Sequence, residues 1–310
     1  MAISGHVTSF AGREVKDFDQ GSGISDPLKV AYALRVDYED TFSGLLDRLL
    51  QDPQATQLEA LVIGSWAEEM YDEDSAPVVA DLVSARDRLP NLKALFIGDI
   101  TYEEFGISWI QQSDMAPVLA AYPNLEVLQV RGGNGLHFSS LRHDTLKKLV
   151  VQTGGLSPTT IADICAAHLP NLEHLELWLG SEDYGGDATV EDVVPIISGN
   201  LFPKLSYLGL ADSEIADQIA NALLQAPVMK QIKQLDMSMG TLSNKGAEAL
   251  IDALIGSSVK WLDVSQNYLS EKMIQRLSWL PLELLADDQK EEDDYDEEED
   301  HHYRYVSVAE

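Results

Sequence analysis

Apolar residues recur along this chain in the order apolar-x-x-Leu-x-apolar. Eight copies fit: Leu58, Leu61, Ile63; Leu92, Leu95, Ile97; Leu125, Leu128, Val130; Leu146, Leu149, Val151; Leu172, Leu175, Leu177; Leu205, Leu208, Leu210; Ile232, Leu235, Met237; and Val259, Leu262, Val264. The alternation at the end of each copy predicts a short strand. The central leucines are 34, 33, 21, 26, 33, 27 and 27 residues apart. Weaker copies flank the set, with Leu34 and Val36 before it and Leu282 and Leu284 after it. Helical stretches lie between. In SPTTIADICAAHL, Ser157 is the expected N-cap and Pro158 the first helical residue, and Ile161, Ile164, Cys165 and Leu169 share a face. EIADQIANALL and GAEALIDALIG repeat that spacing through Ile215, Ile219, Leu223 and through Leu250, Ile251, Leu254. Three copies open on Pro-Asn-Leu, at 90–92, 123–125 and 170–172. The proline stops the preceding helix, the asparagine tolerates a turn and the leucine begins the next strand.

Each unit therefore reads as one strand followed by one helix. Such a unit cannot bury its apolar face alone, so neighbours stack and share one core. The expected fold class is α/β: a solenoid with a parallel sheet of about ten strands on its concave face and helices on its convex face. Ten strands at roughly 4.8 Å give an inner wall on the order of 45 Å long. The fullest copy, VKWLDVSQNYL, carries Asn267 and Leu269 where the pattern L-x-x-L-x-L-x-x-N-x-L wants them. Elsewhere that Asn position holds Ser213, Gly154, Gly180 or Gly240.

On these residues the chain resembles the leucine-rich repeat superfamily in its ribonuclease-inhibitor-like, strand-helix form, over about residues 28–286. The resemblance implies a horseshoe and a role in protein–protein interaction. The HVTSF-x-G start and the YVSV end also resemble a group of bacterial leucine-rich repeat proteins without assigned activity, which implies a cytoplasmic bacterial protein. The division expected is an N-terminal cap over 1–27, repeats over 28–286, and an acidic loop with a capping strand over 287–310. VTSF-AG-REVKDF reads as a hairpin covering the first repeat. Residues 303–308 are expected to pair with the open edge of the last repeat. The uneven repeat lengths put extra loops on the longer units.

Side chains flanking the buried positions point out from the inner wall. The middle outward column reads Arg35, Val62, Phe96, Gln129, Val150, Glu176, Gly209, Asp236, Asp263 and Glu283. Two residues earlier it reads Ala60, Ala94, Val127, Lys148, His174, Tyr207, Gln234 and Trp261, and two later it includes Gly64, Gly98, Arg131, Gln152 and Trp178. The N-terminal half is small and apolar. The C-terminal half mixes acids and aromatics, and Glu176, Trp178, Tyr207, Asp236, Trp261 and Asp263 are the expected partner-binding residues. Asp236 and Asp263 fall on adjacent strands about 5 Å apart. Two charges there repel by roughly 3 kcal/mol at an effective dielectric near 20, which a partner's cation relieves. The plain alternative is a solvated face. With 52 acids in 310 residues, ten outward positions hold about two by chance, against three or four counted.

Composition narrows the function. The net charge is −31, from 52 acids and 21 bases. Such a field repels nucleic acid and anionic lipid and attracts basic proteins. Cys165 is the single cysteine, a core filler, so no intramolecular disulfide or Cys-rich metal centre is expected. No apolar run is long enough to span a membrane, and the start lacks a signal peptide's apolar core. G-x-S-x-G, P-loop, H-E-x-x-H and G-x-G-x-x-G patterns are absent, and no cofactor or catalytic residue is assigned. His174 and Glu176 share a strand face, but as an acid–base pair they need a third group, and their neighbours Lys148 and Tyr207 are poor zinc ligands. The acidic loops 66–77 and 178–192, and the run 287–300 with His301 and His302 after it, are candidates for weak cation binding, with solvated loops the simpler reading. The expected function is a monomeric, non-catalytic scaffold that binds a basic partner protein. The alternative is a ligand- or cation-binding accessory module of an enzyme complex. A ligase-type effector would need a catalytic domain with a reactive cysteine, for which there is no room.

Overall fold

The computed structural model describes residues 3–37, 40–67, 70–71, 73–291 and 303–309. It falls into two compact units, one spanning residues through 152 together with 166–172, the other 153–165 and 173–309.

In the N-terminal unit the elements are β1 (Ser9–Phe10), β2 (Arg13–Asp17), β3 (Val30–Leu34), α1 (Phe42–Gln51), β4 (Ala60–Ile63), α2 (Ala76–Ser84), β5 (Ala94–Ile97), α3 (Ala116–Ala121), β6 (Val127–Arg131) and β7 (Lys148–Gln152). In the C-terminal unit α4 (Pro158–Ala166) precedes β8 (His174–Gly180), α5 (Val190–Ile197), β9 (Tyr207–Ser213), α6 (Ala216–Leu223), β10 (Gln234–Asp236), α7 (Asn244–Leu254), β11 (Trp261–Asp263), α8 (Glu271–Leu277) and β12 (Glu283–Leu285). Within each unit the strands lie in sequence order and pair in parallel, except that β1 and β2 form an antiparallel hairpin. Neighbouring helices pack on one another, α1 on α2 on α3, and α5 through α8 in series. This is a repeating strand-helix architecture, leucine-rich-repeat-like in its periodicity.

The leucines set the register. Leu61, Leu95, Leu128 and Leu149 are direct partners across β4–β7, as are Leu175, Leu208, Leu235 and Leu262 across β8–β11. All eight are fully buried. Asn267 is buried too. Its amide donates to the carbonyls of Met237, Val264 and Ser265, and its Oδ1 accepts from Leu242 N at 2.9 Å. The helix expected from Ser157 starts at Pro158, with the Ser157 hydroxyl accepting from Thr160 N at 3.2 Å.

The sequence reading needs correction in several places. In β3 it is Tyr32 that pairs with Leu61, and Leu34 pairs with Ile63, so Ala33 and not Arg35 holds the middle outward position. Tyr32 fits a leucine site because its hydroxyl is satisfied: it donates to Ser25 O and accepts from Ser25 N. At the other end Leu284 pairs with Leu262, which puts Glu283 beside Trp261 and Leu285 beside Asp263. The short step between β6 and β7 leaves no length for a helix, and residues 132–147 form loop with isolated bridges at Asn134, His137 and Arg142. Twelve strands are formed among the described residues, the two beyond ten being the N-terminal hairpin. Residues 303–309 do not extend the sheet at β12; they lie beside the turns that follow β9, β10 and β11. Within the acidic run, Lys290 is held by backbone, its N–H donating to Asn267 O at 2.6 Å. Residues 292–302, with His301 and His302, lie outside the described residues.

Candidate functional site

The two units treat the sheet face opposite the leucines differently. In the N-terminal unit that face is filled from within over β3–β5, while Gln129, Lys148 and Gln152 on β6 and β7 stay half-exposed. Ala31, Ala33, Ala60, Val62, Ala94 and Phe96 form one buried cluster with Phe10, and Val7, Ala11 and Val15 pack against it. The Phe10 and Phe96 rings are 5.9 Å apart. The hairpin that brings Phe10 there turns at Ala11 and Gly12, both with positive φ, the geometry that two-residue hairpins favour. The hairpin thus reaches β5, well past the first repeat. Fully buried Asp99, just beyond β5, pins the segment: its Oδ1 accepts Val7 N at 3.2 Å, and its carboxylate pairs with Arg35, which also pairs with Asp17. Arg131 approaches the same carboxylate at 3.6 Å and covers Phe96, and burial pulls its guanidinium down to about 10.

In the C-terminal unit the face carries half-exposed aromatics and carboxylates. His174, Tyr207, Gln234, Trp261 and Glu283 are successive register partners on β8–β12. The His174 and Tyr207 rings stack at 3.8 Å with planes 6° apart, and Trp261 lies 6.0 Å from Tyr207. The next column reads Glu176, Gly209, Asp236, Asp263 and Leu285. Gly209 makes room for this arrangement, since a Cβ there would stand 3.0 Å from Glu176 Cγ and 3.2 Å from a Tyr207 ring carbon. Tyr207 Oη reaches across to donate to Asp236 Oδ2 at 2.7 Å. Glu176 accepts from Trp178 Nε1 at 3.1 Å and lies 3.1 Å from His174 Nε2.

Two Asp-x-Ser turns fix the aspartates. Ser238 N donates to Asp236 Oδ1 at 2.9 Å, and Ser265 N donates to Asp263 Oδ1 at 2.8 Å. Burial raises the Asp236 carboxyl, more than its Asp263 neighbour does, so desolvation and not the pair repulsion dominates. Burial, followed by the Asp236 and Glu176 charges, also raises the Tyr207 phenol, which keeps it a donor.

Of the six residues expected to meet a partner, the structure assembles Glu176, Tyr207, Asp236, Trp261 and Asp263 on one face, with Trp178 beside Glu176. Two of them are less accessible than expected. Trp178 is 8% and Asp236 9% exposed, because each is engaged within the face, the indole by Glu176 and the carboxylate by Tyr207 and Ser238. His174 belongs to the aromatic column and was undervalued as half of an acid–base pair; its register with Tyr207 and Trp261 was the available signal. Other candidates have structural roles. Asp192 in the 178–192 loop caps α5 by accepting from Thr189 N and Oγ1. Cys165 is half-buried, and burial pushes its thiol up to about 11. Among the described residues no group of three His, Cys, Asp or Glu side chains is placed to hold a metal ion, and no helix is long and apolar enough to cross a membrane.

The sequential strand-helix units with their leucine register define a leucine-rich-repeat-like protein. A Bacteroides fragilis protein, solved by crystallography as a structural-genomics target, matches with a TM-score of 0.81 and 32% identity, over 91% of this chain and 78% of that one. This chain belongs to the family of that protein. An internalin from Listeria monocytogenes matches at 13% identity over 83% of this chain and 78% of its own, but with a TM-score of 0.29 it supports no inference. No family model and no curated protein matches the chain.

Proposed function

We propose that the protein is a non-catalytic, monomeric interaction module of the ribonuclease-inhibitor-like type, and that the β8–β12 sheet face binds a basic partner protein. One contrast carries this reading. That face is packed with the chain's own apolar residues over β3–β5 of the N-terminal unit, whereas in the C-terminal unit it presents Tyr207, Trp261, Glu176 and Asp263 half-exposed. Aromatic rings supply contact area at low entropy cost, and the carboxylates select a cationic counterpart. The protein's net charge of −31 steers such partners and repels nucleic acid and anionic membranes.

The test is capture of partners by wild-type protein and by the double variant Trp261→Ala/Asp263→Asn, at low and high salt. Species retained by wild type at low salt, released at high salt and absent from the variant support the reading. Identical retention by both proteins contradicts it.

A further inference from the structure

Beyond the C-terminal ends of β9, β10 and β11 lies a second built surface, separate from the sheet face. Asp212, Met239, Gln266 and Asp288 occupy equivalent places in four successive strand exits, and each has positive φ. The ladder continues through these positions, inside β9 and past the ends of β10 and β11: Asp212 N donates to Ser238 O, Met239 N to Ser265 O and Gln266 N to Asp287 O. Residues 303–309 lie along them.

The contacts read the backbone of that segment. Asp212 Oδ1 accepts from both Ser307 N and Val308 N at 2.9 Å. Ser307 N is also 2.8 Å from Met239 O. Tyr268 Oη accepts from Tyr305 N at 2.8 Å and donates to Tyr305 O at 3.2 Å. Lys290 Nζ donates to Tyr305 O at 2.6 Å. Side chains are read at three points. Val308 is buried, Ser307 Oγ accepts from Lys290 Nζ at 3.2 Å, and Arg304 lies over the Tyr268 ring, 3.9 Å from Asp217 Oδ2. The other two aromatics bury little: Tyr303 is 36% and Tyr305 56% exposed.

Asp212 has no solvent exposure, and its Oδ2 has no hydrogen-bond partner among the described residues. Burial pushes its carboxyl up to about 7, against the two backbone N–H groups that pull it down. A buried carboxylate at the floor of a groove whose other polar groups also address a peptide backbone is a device for holding an extended chain. At the Tyr303–Arg304 end lies a cavity of about 610 Å³ walled by Glu214, Asp217, Thr241 and Lys245.

We propose that this groove is a peptide-binding site occupied in cis by the chain's own C-terminal segment. In trans it takes an extended segment of a partner protein with the same chemistry, a basic residue two positions before a β-branched, small, β-branched triplet. A second copy of this chain is a poor donor of that segment, because each copy carries a net charge of −31. The proposal stands whether or not the β8–β12 face binds a partner.

The experiment uses full-length protein and a fluorescent, N-terminally blocked peptide Tyr-Arg-Tyr-Val-Ser-Val. Ser307→Pro removes the N–H that serves both Asp212 and Met239, and so frees the groove. Fluorescence anisotropy should show the peptide binding Ser307→Pro at least tenfold more tightly than wild type, with the gain lost in Ser307→Pro/Asp212→Ala. Trypsin should cut after Arg304 faster in Ser307→Pro than in wild type. If Ser307→Pro melts early, Val308→Ser, which removes only the apolar anchor, gives the same contrast. Equal peptide affinity for wild type and the freed variants, or binding indifferent to Asp212→Ala, overturns the site. A wild-type dimer that the peptide dissociates overturns the partner assignment in favour of a second copy.

Discussion

The two units differ less in their leucines than in what covers the opposite face. On β4 and β5 of the N-terminal unit the outward residues are Ala60, Val62, Ala94 and Phe96, and the hairpin with Phe10 seals them. In the C-terminal unit the register-equivalent positions hold His174, Tyr207, Trp261, Glu176, Asp236 and Asp263. A parallel sheet buried on both faces reads as a continuous apolar run, and one open on a face alternates. ALVI and ALFI at β4 and β5 are of the first kind; HLELW, YLGLA, QLD and WLD are of the second. Each unit also holds a terminal segment through a buried aspartate at the C-terminal end of a strand, Asp99 for Val7 and Asp212 for Ser307 and Val308. One segment packs on the sheet face and the other beside it, and that difference leaves the second face available.

Phe96→Ala should break the comparison hardest. It removes a fully buried ring beneath the hairpin and should cost about 3–5 kcal/mol in urea unfolding, the usual range for such a truncation. A loss under about 1 kcal/mol would mean the hairpin does not seal the face. Asp99→Ala should rank close behind, at about 3–4 kcal/mol, because it leaves buried Arg131 without its carboxylate and Arg35 with Asp17 alone. Arg35→Ala and Arg131→Ala should then couple to it in double-mutant cycles, and additivity would refute the network.

Asp212 gives a pH signature specific to the C-terminal unit. Its folded value of about 7 lies above the ordinary 3.8, so its contribution to stability is fully present below about 3.8 and lost as pH rises through about 7. The melting temperature of wild type relative to Asp212→Asn should therefore rise between pH 8 and pH 5. Asparagine keeps an acceptor for Ser307 N and Val308 N, which makes it the proper reference. A constant difference across that range would show that Asp212 is not a buried ionisable group.

The smallest stability effects belong to the open face. Trp261→Ala is half-exposed and should change unfolding by only about 1 kcal/mol, while abolishing salt-sensitive capture of the partner. Partner capture that survives this change would place the interface elsewhere.

The fold was legible wherever a buried position demanded one residue type. Leu61 through Leu262 set eight strands in register because a fully buried leucine site tolerates little else. Legibility failed at the ends. Tyr32 fills a leucine site only because Ser25 satisfies its hydroxyl, a contact the repeat pattern does not encode. The face residues are legible by alternation, which alone puts Tyr207, Trp261 and Asp263 on one face. Their engagement was not: the Tyr207–Asp236 bond spans two strands, and it buries a carboxylate counted as exposed. The two aspartate clamps join residues 92 and 95 positions apart through backbone N–H groups, for which no residue type is a signal. The apolar outward run Ala60, Val62, Ala94 and Phe96 did carry a trace of its cover, since such residues are seldom left in water.

The most direct test of the closed and open faces compares thiol accessibility at Val62→Cys and Asp263→Cys in a Cys165→Ser background. The account predicts that the thiol at position 263 reacts with a polar maleimide at close to the rate of a free peptide thiol, while the one at 62 stays unreactive until denaturant is added. Comparable rates at the two positions in the folded protein would contradict it.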